Sequence, residues 1–338
     1  MKKSLIALAA LATLSGAALA QSSVTIYGRL DASVGSNKAG APGVAKSVSQ
    51  LESGLLSTSR LGFRGTEDLG GGMKAIFQLE GELKVDDGTA AGFSFNRMSI
   101  VGLQAGFGTI KLGRHDTSFD DIRDISVSSN LWDSEFSPTK VAYVNSVGGV
   151  AVAHVADYSS RASNQIRYES PSFGGFTAGV SYGFDEQAAP VKRDVTALNV
   201  RYRAGGLDAG IGYQEQDNEV AASKREYTTI AGAYNFGMFR VSGGYNKAEQ
   251  GTLESTGYTI GANMPVDAWD FSVGYATNKS ELAGVTSAKS SGFSAGATYS
   301  LSKRTRVYAA FLNGKAENAA GTKIADRKLY AVGVRHDF

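Results

Sequence analysis

The residues that could support hydrolytic chemistry are two copies of the G-x-S-x-G pattern. They read Gly179-Val180-Ser181-Tyr182-Gly183 and Gly292-Phe293-Ser294-Ala295-Gly296. A nucleophile elbow of this type needs a strand, a sharp turn and a helix, and its serine needs an oriented histidine. Both copies lie inside segments that alternate like strands, and no spacing pairs a serine with His115, His154 or His336. The sequence therefore predicts no catalytic residues and no enzyme.

A cluster of carboxylates at Asp120, Asp121 and Asp124 is the second candidate for chemistry. Its oxygen atoms could bind a divalent cation, because Ca²⁺ and Mg²⁺ prefer oxygen ligands. A hydrated acidic loop is the plainer interpretation, so we predict no metal and no cofactor. The chain has no Cys, which excludes disulfides, thiolate zinc sites and cysteine nucleophiles. The glycine-rich stretch 102–108 lacks the strand and helix that a nucleotide site requires.

The composition excludes a strongly basic protein and shows one anomaly. The 338 residues contain 34 Lys and Arg against 32 Asp and Glu, a formal charge of +2. Such a balance does not support a nucleic-acid partner, which would select a strongly basic chain. Glycine is the anomaly, since 42 in 338 residues is about 12 % against a usual share of about 7 %.

The first twenty residues have the organisation of a secretory signal peptide. Lys2 and Lys3 precede an apolar run from Leu5 to Leu14, and Ala18-Leu19-Ala20 forms a small-residue cleavage site. Residues 1–20 are thus predicted to be removed, leaving a mature chain of 21–338 with a formal charge of 34 − 2 − 32 = 0. No later stretch has eighteen consecutive apolar residues, so no transmembrane helix is predicted. Export without disulfides fits the periplasm or outer membrane of a Gram-negative cell.

The mature chain alternates between apolar and polar residues with a period of two. Val24, Ile26 and Leu30 share one parity, whereas Thr25 and Arg29 share the other. Such alternation is typical of a strand with one apolar and one polar face. It recurs along the chain up to the C-terminal residues Tyr330, Val332, Val334, His336 and Phe338.

The connections between these segments alternate in length. Seven are short, at 67–72, 106–108, 172–175, 204–206, 237–238, 266–268 and 302–305. Eight are long and polar, at 36–57, 84–94, 115–160, 185–193, 215–225, 247–255, 277–290 and 313–327. Together they predict sixteen antiparallel strands, with both termini on the side of the short turns.

The composition of the two faces favours a membrane barrel over a soluble sandwich. The apolar parity carries aromatic residues near strand ends, and the polar parity carries Arg, Asn, Asp and many Gly and Ser. A transmembrane barrel has this pattern, with apolar residues toward lipid, aromatic girdles and a polar lumen. Sixteen strands enclose an aqueous channel, and small residues that face water inside it account for the glycine excess.

Several motifs resemble the general porins of Gram-negative outer membranes, most closely the beta-proteobacterial branch. The most specific is Ser59-Arg60-Leu61-Gly62-Phe63-Arg64-Gly65-Thr66-Glu67-Asp68-Leu69-Gly70-Gly71-Gly72, which is similar to the second strand and its turn. The others, in chain order, are Ser22–Gly28, Phe107-Gly108-Thr109, Leu112-Gly113-Arg114, Tyr168-Glu169-Ser170-Pro171, Leu301–Thr305 and Gly333–Phe338. The resemblance covers the whole mature chain.

The resemblance implies an all-β, 16-stranded antiparallel transmembrane β-barrel with short periplasmic turns, long extracellular loops and a third loop folded into the lumen. Its function would be passive diffusion of small hydrophilic solutes and ions through a water-filled channel in the outer membrane. The implied partners are two other copies in a homotrimer, those solutes, and outer-membrane lipid including lipopolysaccharide.

The family also implies roles for individual residues. Arg60, Arg97 and Arg161 match the ladder of arginines on the channel wall, and Arg29 matches a basic position on the first strand. The candidate acids of the third loop, about 115–160, are Asp116, Asp120, Asp121, Asp124, Asp133 and Glu135. The family's P-E-F-G-G loop tip reads Ser134-Glu135-Phe136-Ser137-Pro138 here, so which acids face the arginines stays open. Tyr330, Val332, Val334 and Phe338 match the C-terminal assembly signal.

A second function class remains open from the sequence. An outer-membrane barrel with a blocked lumen could serve surface binding, a structural role or catalysis. The long third loop and the small residues of the polar parity favour the open channel. Composition does not decide between anion and cation preference, because charges at a narrow throat outweigh the net charge of the chain.

Overall fold

The chain folds almost entirely into strands. The computed structural model describes residues 23–89, 94–126, 131, 134–186, 193–217 and 224–338. Its strands are β1 (Ser23–Gly40), β2 (Val48–Ser53), β3 (Arg60–Gly70), β4 (Met73–Glu82), β5 (Met98–Ala105), β6 (Gly108–Asp116), β7 (Ser146–Val147), β8 (Val150–Ala151), β9 (Arg161–Glu169), β10 (Phe176–Gly183), β11 (Val195–Ala204), β12 (Leu207–Gln216), β13 (Arg225–Asn235), β14 (Arg240–Gln250), β15 (Leu253–Val266), β16 (Trp269–Leu282), β17 (Val285–Ser300), β18 (Thr305–Asn318) and β19 (Lys323–Asp337). Among the described residues between β6 and β7 are the single-turn helices α1 (Asp120–Arg123) and α2 (Thr139–Ala142). No helix in the described ranges is long and apolar enough to cross a membrane.

The strands form one closed antiparallel barrel. Every barrel strand pairs with the next along the chain, and β19 pairs with β1 to close the cylinder. Strands β2 and β3 both pair with β1, so they are two halves of one strand interrupted at 54–59. Counted in this way, the described residues form sixteen barrel strands, which confirms the predicted fold class. Strands β7 and β8 form a separate hairpin inside the segment 117–160.

The barrel has its apolar face outside. On β1, Val24 and Ile26 are 66 % and 61 % exposed, whereas Asp31 on the opposite parity is fully buried. This is the reverse of a soluble sheet, in which apolar side chains turn inward. Burying backbone hydrogen bonds in a closed ladder while presenting apolar side chains outward is the arrangement that a bilayer requires.

Four of the predicted long connections are shorter than expected. Strands β14 and β15 are separated by 251–252 alone, β16 and β17 by 283–284, and β18 and β19 by 319–322. The predicted link 36–57 contains the end of β1 and all of β2. These strands continue beyond the apolar band, where both faces are polar. Loss of alternation therefore marks where a strand leaves the hydrocarbon, and the hydrogen-bonded ladder extends further.

The largest buried apolar cluster lies inside the barrel. Phe136, Val141 and Val152 from the segment 117–160 pack against inner-face residues of β18 and β19, including Leu312 and Leu329. All five side chains are less than 5 % exposed. Because burial of a large apolar side chain stabilises by about 1.5–3 kcal/mol, this cluster holds the segment against the wall.

Glycines on the inner wall make room for that segment. A Cβ atom at Gly210 would lie 2.5 Å from Ile122, one at Gly257 2.2 Å from Tyr143, and one at Gly292 2.4 Å from the Pro138 carbonyl oxygen. At these distances the neighbouring atom must shift, and at Gly292 that atom belongs to the backbone of the segment. Part of the glycine excess therefore lies along β12–β18, where it leaves room for residues 119–126, 131 and 138–143.

We expect Gly292→Val to displace this segment from the wall. The added side chain would overlap the backbone of Pro138, and overpacking of this kind costs about 1–3 kcal/mol. Trypsin should therefore cleave the folded barrel after Lys140, in the adjacent helix α2, at least ten times faster than in the wild type.

The matched control is Gly232→Val, on the outer face of β13. A Cβ there would meet a single neighbour, the Ala209 Cβ at 3.8 Å, so cleavage after Lys140 should not change. Equal cleavage rates for Gly292→Val and the wild type would show that the wall glycines do not hold the segment.

Candidate functional site

Two of the predicted basic residues lie directly opposite each other on the inner wall. Arg29 of β1 pairs in register with Arg60 of β3, and both guanidinium groups donate to the Ser57 hydroxyl, at 2.7 and 3.0 Å. Arg29 also forms an ion pair with Asp337 at 2.6 Å. Like charges at opposed positions repel, so the shared acceptor and Asp337 keep the two side chains in place.

A wall carboxylate that the sequence did not single out joins the other arginines. Glu80 of β4 accepts from Arg97 Nε at 2.7 Å and lies 3.5 Å from Arg60 Nη1. Its second oxygen accepts from the Tyr27 hydroxyl at 3.0 Å. Glu80 thus bridges two of the predicted ladder arginines. The sequence places it on the polar face of a strand next to the strand of Arg60. The contact itself could not be predicted, because it is diagonal and depends on the register between the two strands.

Arg161 and Asp116 form a pair at the top of adjacent strands. They are in register between β6 and β9, and Arg161 Nε lies 2.8 Å from Asp116 Oδ1. Asp116 was expected at the start of the third loop. The structure places it on the wall as the last residue of β6, because the hydrogen-bonded ladder with β9 continues to that position.

The other predicted acids divide into two groups. Asp120 and Asp124 face the space next to the arginines, and Asp120 accepts from the Tyr158 hydroxyl at 2.5 Å. Asp121 turns to the wall, where Arg167 lies at 2.5 Å and the Asn199 amide donates at 2.9 Å. Burial and the neighbouring carboxylates raise the pKa of Asp120 well above its usual value.

Glu135 lies apart from these acids. It pairs with Lys140 at 3.1 Å and with Arg327 of β19 at 2.8 Å. Those two cations lower the pKa of Glu135 to about 2 against the opposing effect of burial. Glu135 therefore ties the segment to the wall as an ionised group. The remaining candidate, Asp133, lies outside the described residues.

Arg123 connects the start of the segment 117–160 to the residues 143–158 that lead back to β9. Its guanidinium lies over the rings of Tyr143 and Tyr158, at 4.6 and 5.0 Å from their centroids. Asp157 lies 3.4 Å away. A buried cation between two aromatic faces gains about 2 kcal/mol or more from each good contact. No local pattern in the sequence indicates this cluster, because its members are up to 35 positions apart.

His154 holds the last part of the segment 117–160 against the barrel wall. Its ring nitrogens are hydrogen-bonded to the hydroxyls of Ser280 on β16 and Ser290 on β17, at 2.6 and 2.7 Å. Burial lowers the pKa of His154 to about 4. The ring is therefore neutral at physiological pH, and its two hydrogen bonds hold the segment without adding charge to the lumen.

The wall and the segment enclose one polar opening. Its lining includes the cations Arg60, Arg97, Arg123, Lys140 and Arg161 and the anions Glu80, Asp116, Asp120, Asp124 and Asp157. The opening has a volume of about 510 Å³, which holds on the order of fifteen water molecules at about 30 Å³ each. Charged side chains of both signs therefore face one water-accessible space.

The alternative chemistries find no support in the described parts of the chain. Ser181 of the first G-x-S-x-G copy is a strand residue whose hydroxyl accepts from the Ser118 backbone N–H at 3.1 Å. Ser294 of the second copy is buried on the inner face of β17. No group of three or more His, Asp or Glu that could hold a metal ion occurs within the ranges described above.

The C-terminal residues lie at the barrel seam. Tyr330, Val332 and Val334 face outward on β19, between 44 % and 60 % exposed. Phe338 exchanges two backbone hydrogen bonds with Gly28 of β1, at 3.0 and 3.1 Å. Its ring occupies the space where a Cβ of residue 28 would lie.

Comparison with known proteins agrees with this architecture. A family model described as Gram-negative porin matches residues 7–336. Outer membrane porin protein 32 of Delftia acidovorans is 38 % identical over 99 % of this chain and 95 % of its own length. The solved structure of an anion-selective porin from Comamonas acidovorans is 29 % identical, with a TM-score of 0.74 over 94 % of this chain and 100 % of that one.

A further solved structure shows the same fold at lower identity. OmpT of Vibrio cholerae, described as its trimer form, is 17 % identical with a TM-score of 0.69, covering 94 % of this chain and 99 % of that chain. The chain therefore belongs to the Gram-negative porin family, and it is an outer-membrane β-barrel that forms a channel for passive diffusion of small hydrophilic solutes.

Proposed function

We propose that the polar opening between the wall and the segment 117–160 is the constriction of this channel, and that it prefers anions. The observation that carries this proposal is the convergence of Arg60, Arg97 and Arg161 with Asp116, Asp120 and Asp124 around one polar opening of about 510 Å³. Flow follows the concentration gradient of the solute, so the proposed role requires no catalysis and no energy source.

The opposed charges act through a transverse field. A monovalent ion 4 Å from one unit charge gains about 1 kcal/mol in bulk water and about 4 kcal/mol at an effective dielectric constant of 20. Such energies exceed thermal energy inside a narrow throat and are screened outside it. The field would orient dipolar solutes and separate the paths of anions and cations.

The balance of charges supports the preference for anions. Five cations and five anions line the opening. Burial and the neighbouring carboxylates raise the pKa of Asp120, which shifts the charge balance of the lining in the positive direction. The relative from Comamonas acidovorans is described as anion-selective, which agrees with this balance.

A homotrimer is the second part of the proposal. Each strand from β9 to β19 carries at least one outward aromatic residue, for example Tyr168, Tyr245 or Tyr330. On β1–β6 the outer face has two described aromatic residues, Phe63 and Phe77. Aromatic girdles mark contact with the membrane interfaces. The sector β1–β6 is thus suited to contact between copies, while β9–β19 face lipid that includes lipopolysaccharide.

Targeting and assembly complete the proposal. Residues 1–20, which lie outside the described ranges, act as a leader that is removed on export. The outward-facing Tyr330, Val332 and Val334 with the terminal Phe338 act as the assembly signal. The hydrogen bonds of Phe338 to Gly28 support this role, because the strand that closes the barrel also carries the signal.

The direct test is ion selectivity in planar bilayers. We expect the wild-type protein to insert in triplet conductance steps and to show an anion-selective reversal potential. The double variant Arg60→Gln/Arg97→Gln removes two wall cations, so its anion-to-cation permeability ratio should fall several-fold and move toward cations.

Two variants make this test specific. Glu80→Gln removes a wall anion and should shift selectivity in the opposite direction, further toward anions. Lys303→Gln lies in a short turn outside the opening and should leave the reversal potential unchanged. A folded trimer that stays silent in the bilayer, or a double variant with wild-type selectivity, would refute the constriction.

The pH dependence of selectivity tests the role of Asp120. Its raised pKa means that the carboxyl gains a proton as the pH falls through that value and loses it as the pH rises. We expect anion preference to increase with falling pH, and Asp120→Asn to reduce this dependence while keeping the acidic-pH selectivity. An unchanged pH profile in Asp120→Asn would contradict the assignment.

Phe338→Ala tests the assembly signal. Loss of the ring removes the contact at Gly28 but keeps both backbone hydrogen bonds, so the folded barrel should remain possible. We expect the amount of heat-modifiable trimer in the outer membrane to fall at least tenfold in cells, with normal refolding of the purified chain in detergent. Phe311→Ala, another outward aromatic, is the control and should assemble normally.

A further inference from the structure

The strand formed by β2 and β3 is interrupted by a turn that points into the barrel. Residues 30 and 31 of β1 lie opposite residues 54–59, so six residues oppose two and four extra residues leave the wall. Leu55 and Leu56 of this turn are buried in the apolar cluster inside the barrel. We refer to residues 54–59 as the inward turn.

The side chain of Asp31 holds the middle of the inward turn. Its Oδ2 atom accepts from the backbone N–H groups of Leu56 and Ser57, at 2.7 and 2.8 Å. Its Oδ1 atom accepts from the hydroxyl of Tyr308 on β18, at 2.8 Å. Because Asp31 is fully buried, water does not reach these groups. Buried N–H groups that lose their acceptor are costly, so the conformation of the turn depends on this one carboxyl group.

The backbone of Asp31 also contacts both ends of the inward turn. Its carbonyl oxygen accepts from the N–H of Gly54 at 2.9 Å. Its own N–H donates to the hydroxyl oxygen of Ser59, also at 2.9 Å. A single residue of β1 therefore binds the start, the middle and the end of the turn.

The inward turn sets the position of two arginines on the wall. Ser57 supplies the hydroxyl oxygen that accepts from both Arg29 and Arg60, and its backbone N–H is one of the two that donate to Asp31. The strand resumes at Arg60, directly after the turn. Displacement of the turn would move this acceptor away from Arg60, and Glu80, 3.5 Å from Arg60 Nη1, would compete for the guanidinium group.

The inward turn also contacts the tip of the third-loop segment. The carbonyl oxygen of Leu55 accepts from the N–H of Glu135 at 2.9 Å. Both leucines of the turn belong to the same buried cluster as Phe136. The ring of Phe136 meets the ring of Tyr308 edge to face, with 6.4 Å between the centroids. The tyrosine that donates to Asp31 therefore supports the loop tip as well.

We propose that Asp31 is a positioning residue for ion selection in this channel. It holds the inward turn, and the turn places Arg60 on one side of the opening and the loop tip at Glu135 on the other. Asp31 is fully buried, so it acts on a solute only through these groups. The inference rests on the constriction proposed above and adds the residue that fixes its geometry.

Two other roles of this carboxyl group would have different consequences. If Asp31 acted through a negative charge, its replacement by any neutral residue would increase anion preference. If it served only the stability of the barrel, the folded variants would keep wild-type selectivity. Positioning predicts a decrease in anion preference, because Arg60 would withdraw toward Glu80 and the opening would lose a positive charge.

The decisive experiment compares Asp31→Ala with Asp31→Asn in folded trimers. The Asn side chain can keep all three hydrogen bonds, because its oxygen accepts from both N–H groups and its amide nitrogen donates to the Tyr308 oxygen. Ala keeps none of them. We expect the anion-to-cation permeability ratio, obtained from reversal potentials in planar bilayers, to fall at least twofold in Asp31→Ala and to remain at the wild-type value in Asp31→Asn.

Trypsin cleavage after Lys140 measures the effect on the loop. We expect cleavage to be at least five times faster in Asp31→Ala than in the wild type and unchanged in Asp31→Asn. Ser57→Ala removes the shared acceptor of the two arginines but leaves the turn in place. It should therefore lower the permeability ratio without changing the cleavage rate.

The matched control is Asp270→Ala. It removes a carboxyl group from the inner face of β16, at the end of that strand next to a short turn, and should change neither the permeability ratio nor the cleavage rate. Wild-type selectivity and cleavage in Asp31→Ala would overturn the proposal. An equal rise of anion preference in Asp31→Ala and Asp31→Asn would also overturn it, because that result indicates a charge effect.

A second variant covers the case in which Asp31→Ala does not form trimers. Tyr308→Phe removes one of the three donors to the carboxyl group and keeps the ring against Phe136. It should lower the permeability ratio and speed cleavage after Lys140 by smaller factors than those expected for Asp31→Ala. Wild-type values of both quantities in Tyr308→Phe would then refute the role of Asp31.

Failure of this inference is distinguishable from failure of the constriction. Wild-type selectivity in Arg60→Gln/Arg97→Gln would refute the constriction, whereas faster cleavage in Asp31→Ala would still show that the inward turn holds the loop. A shifted selectivity in that double variant, together with an unchanged Asp31→Ala, would refute the positioning role alone.

Discussion

Backbone hydrogen bonding in an apolar medium is the constraint on which the rest of this structure depends. A strand at the edge of a sheet cannot leave its N–H and C=O groups unpaired in hydrocarbon. The pairing of β19 with β1 removes both edges, and Phe338 extends the pairing to Gly28. Closure fixes the inside and the outside, so each alternating residue is assigned to lipid or to water by its parity alone.

That assignment explains why the barrel could be predicted from the sequence and the details of the site could not. Parity identified Tyr330 as a lipid-facing residue, and the family resemblance indicated Arg60, Arg97 and Arg161 as residues of the channel wall. Parity could not reveal Glu80 between two arginines, because that contact depends on the offset between strands. It also placed the strand ends too early, as in 277–290, since a strand that rises above the membrane has no apolar face.

The third-loop segment depends on the wall for its conformation. The helices α1 and α2 in the described part of the segment 117–160 have one turn each, too short to be stable alone. Its position follows from Phe136 and Val141 in the buried cluster, from Arg123 between two tyrosines, and from wall glycines that leave it room. Glycine therefore has a second role besides lining a water-filled lumen, because glycines on the wall leave room for the third-loop segment.

Charge is arranged separately on the two faces, although the formal charges of the whole chain sum to only +2. Inside, arginines and carboxylates form close pairs such as Arg161 with Asp116, so the field depends on which side chains face the opening. Outside, lysines such as Lys247, Lys279 and Lys315 lie at the loop ends of their strands, each in contact with a glutamate two positions farther along. Charged side chains are absent from the outer face within the hydrocarbon layer, but they are allowed on the same face at the level of the lipid headgroups. The net charge is thus a poor guide to either face, because each face has its own partners and its own dielectric environment.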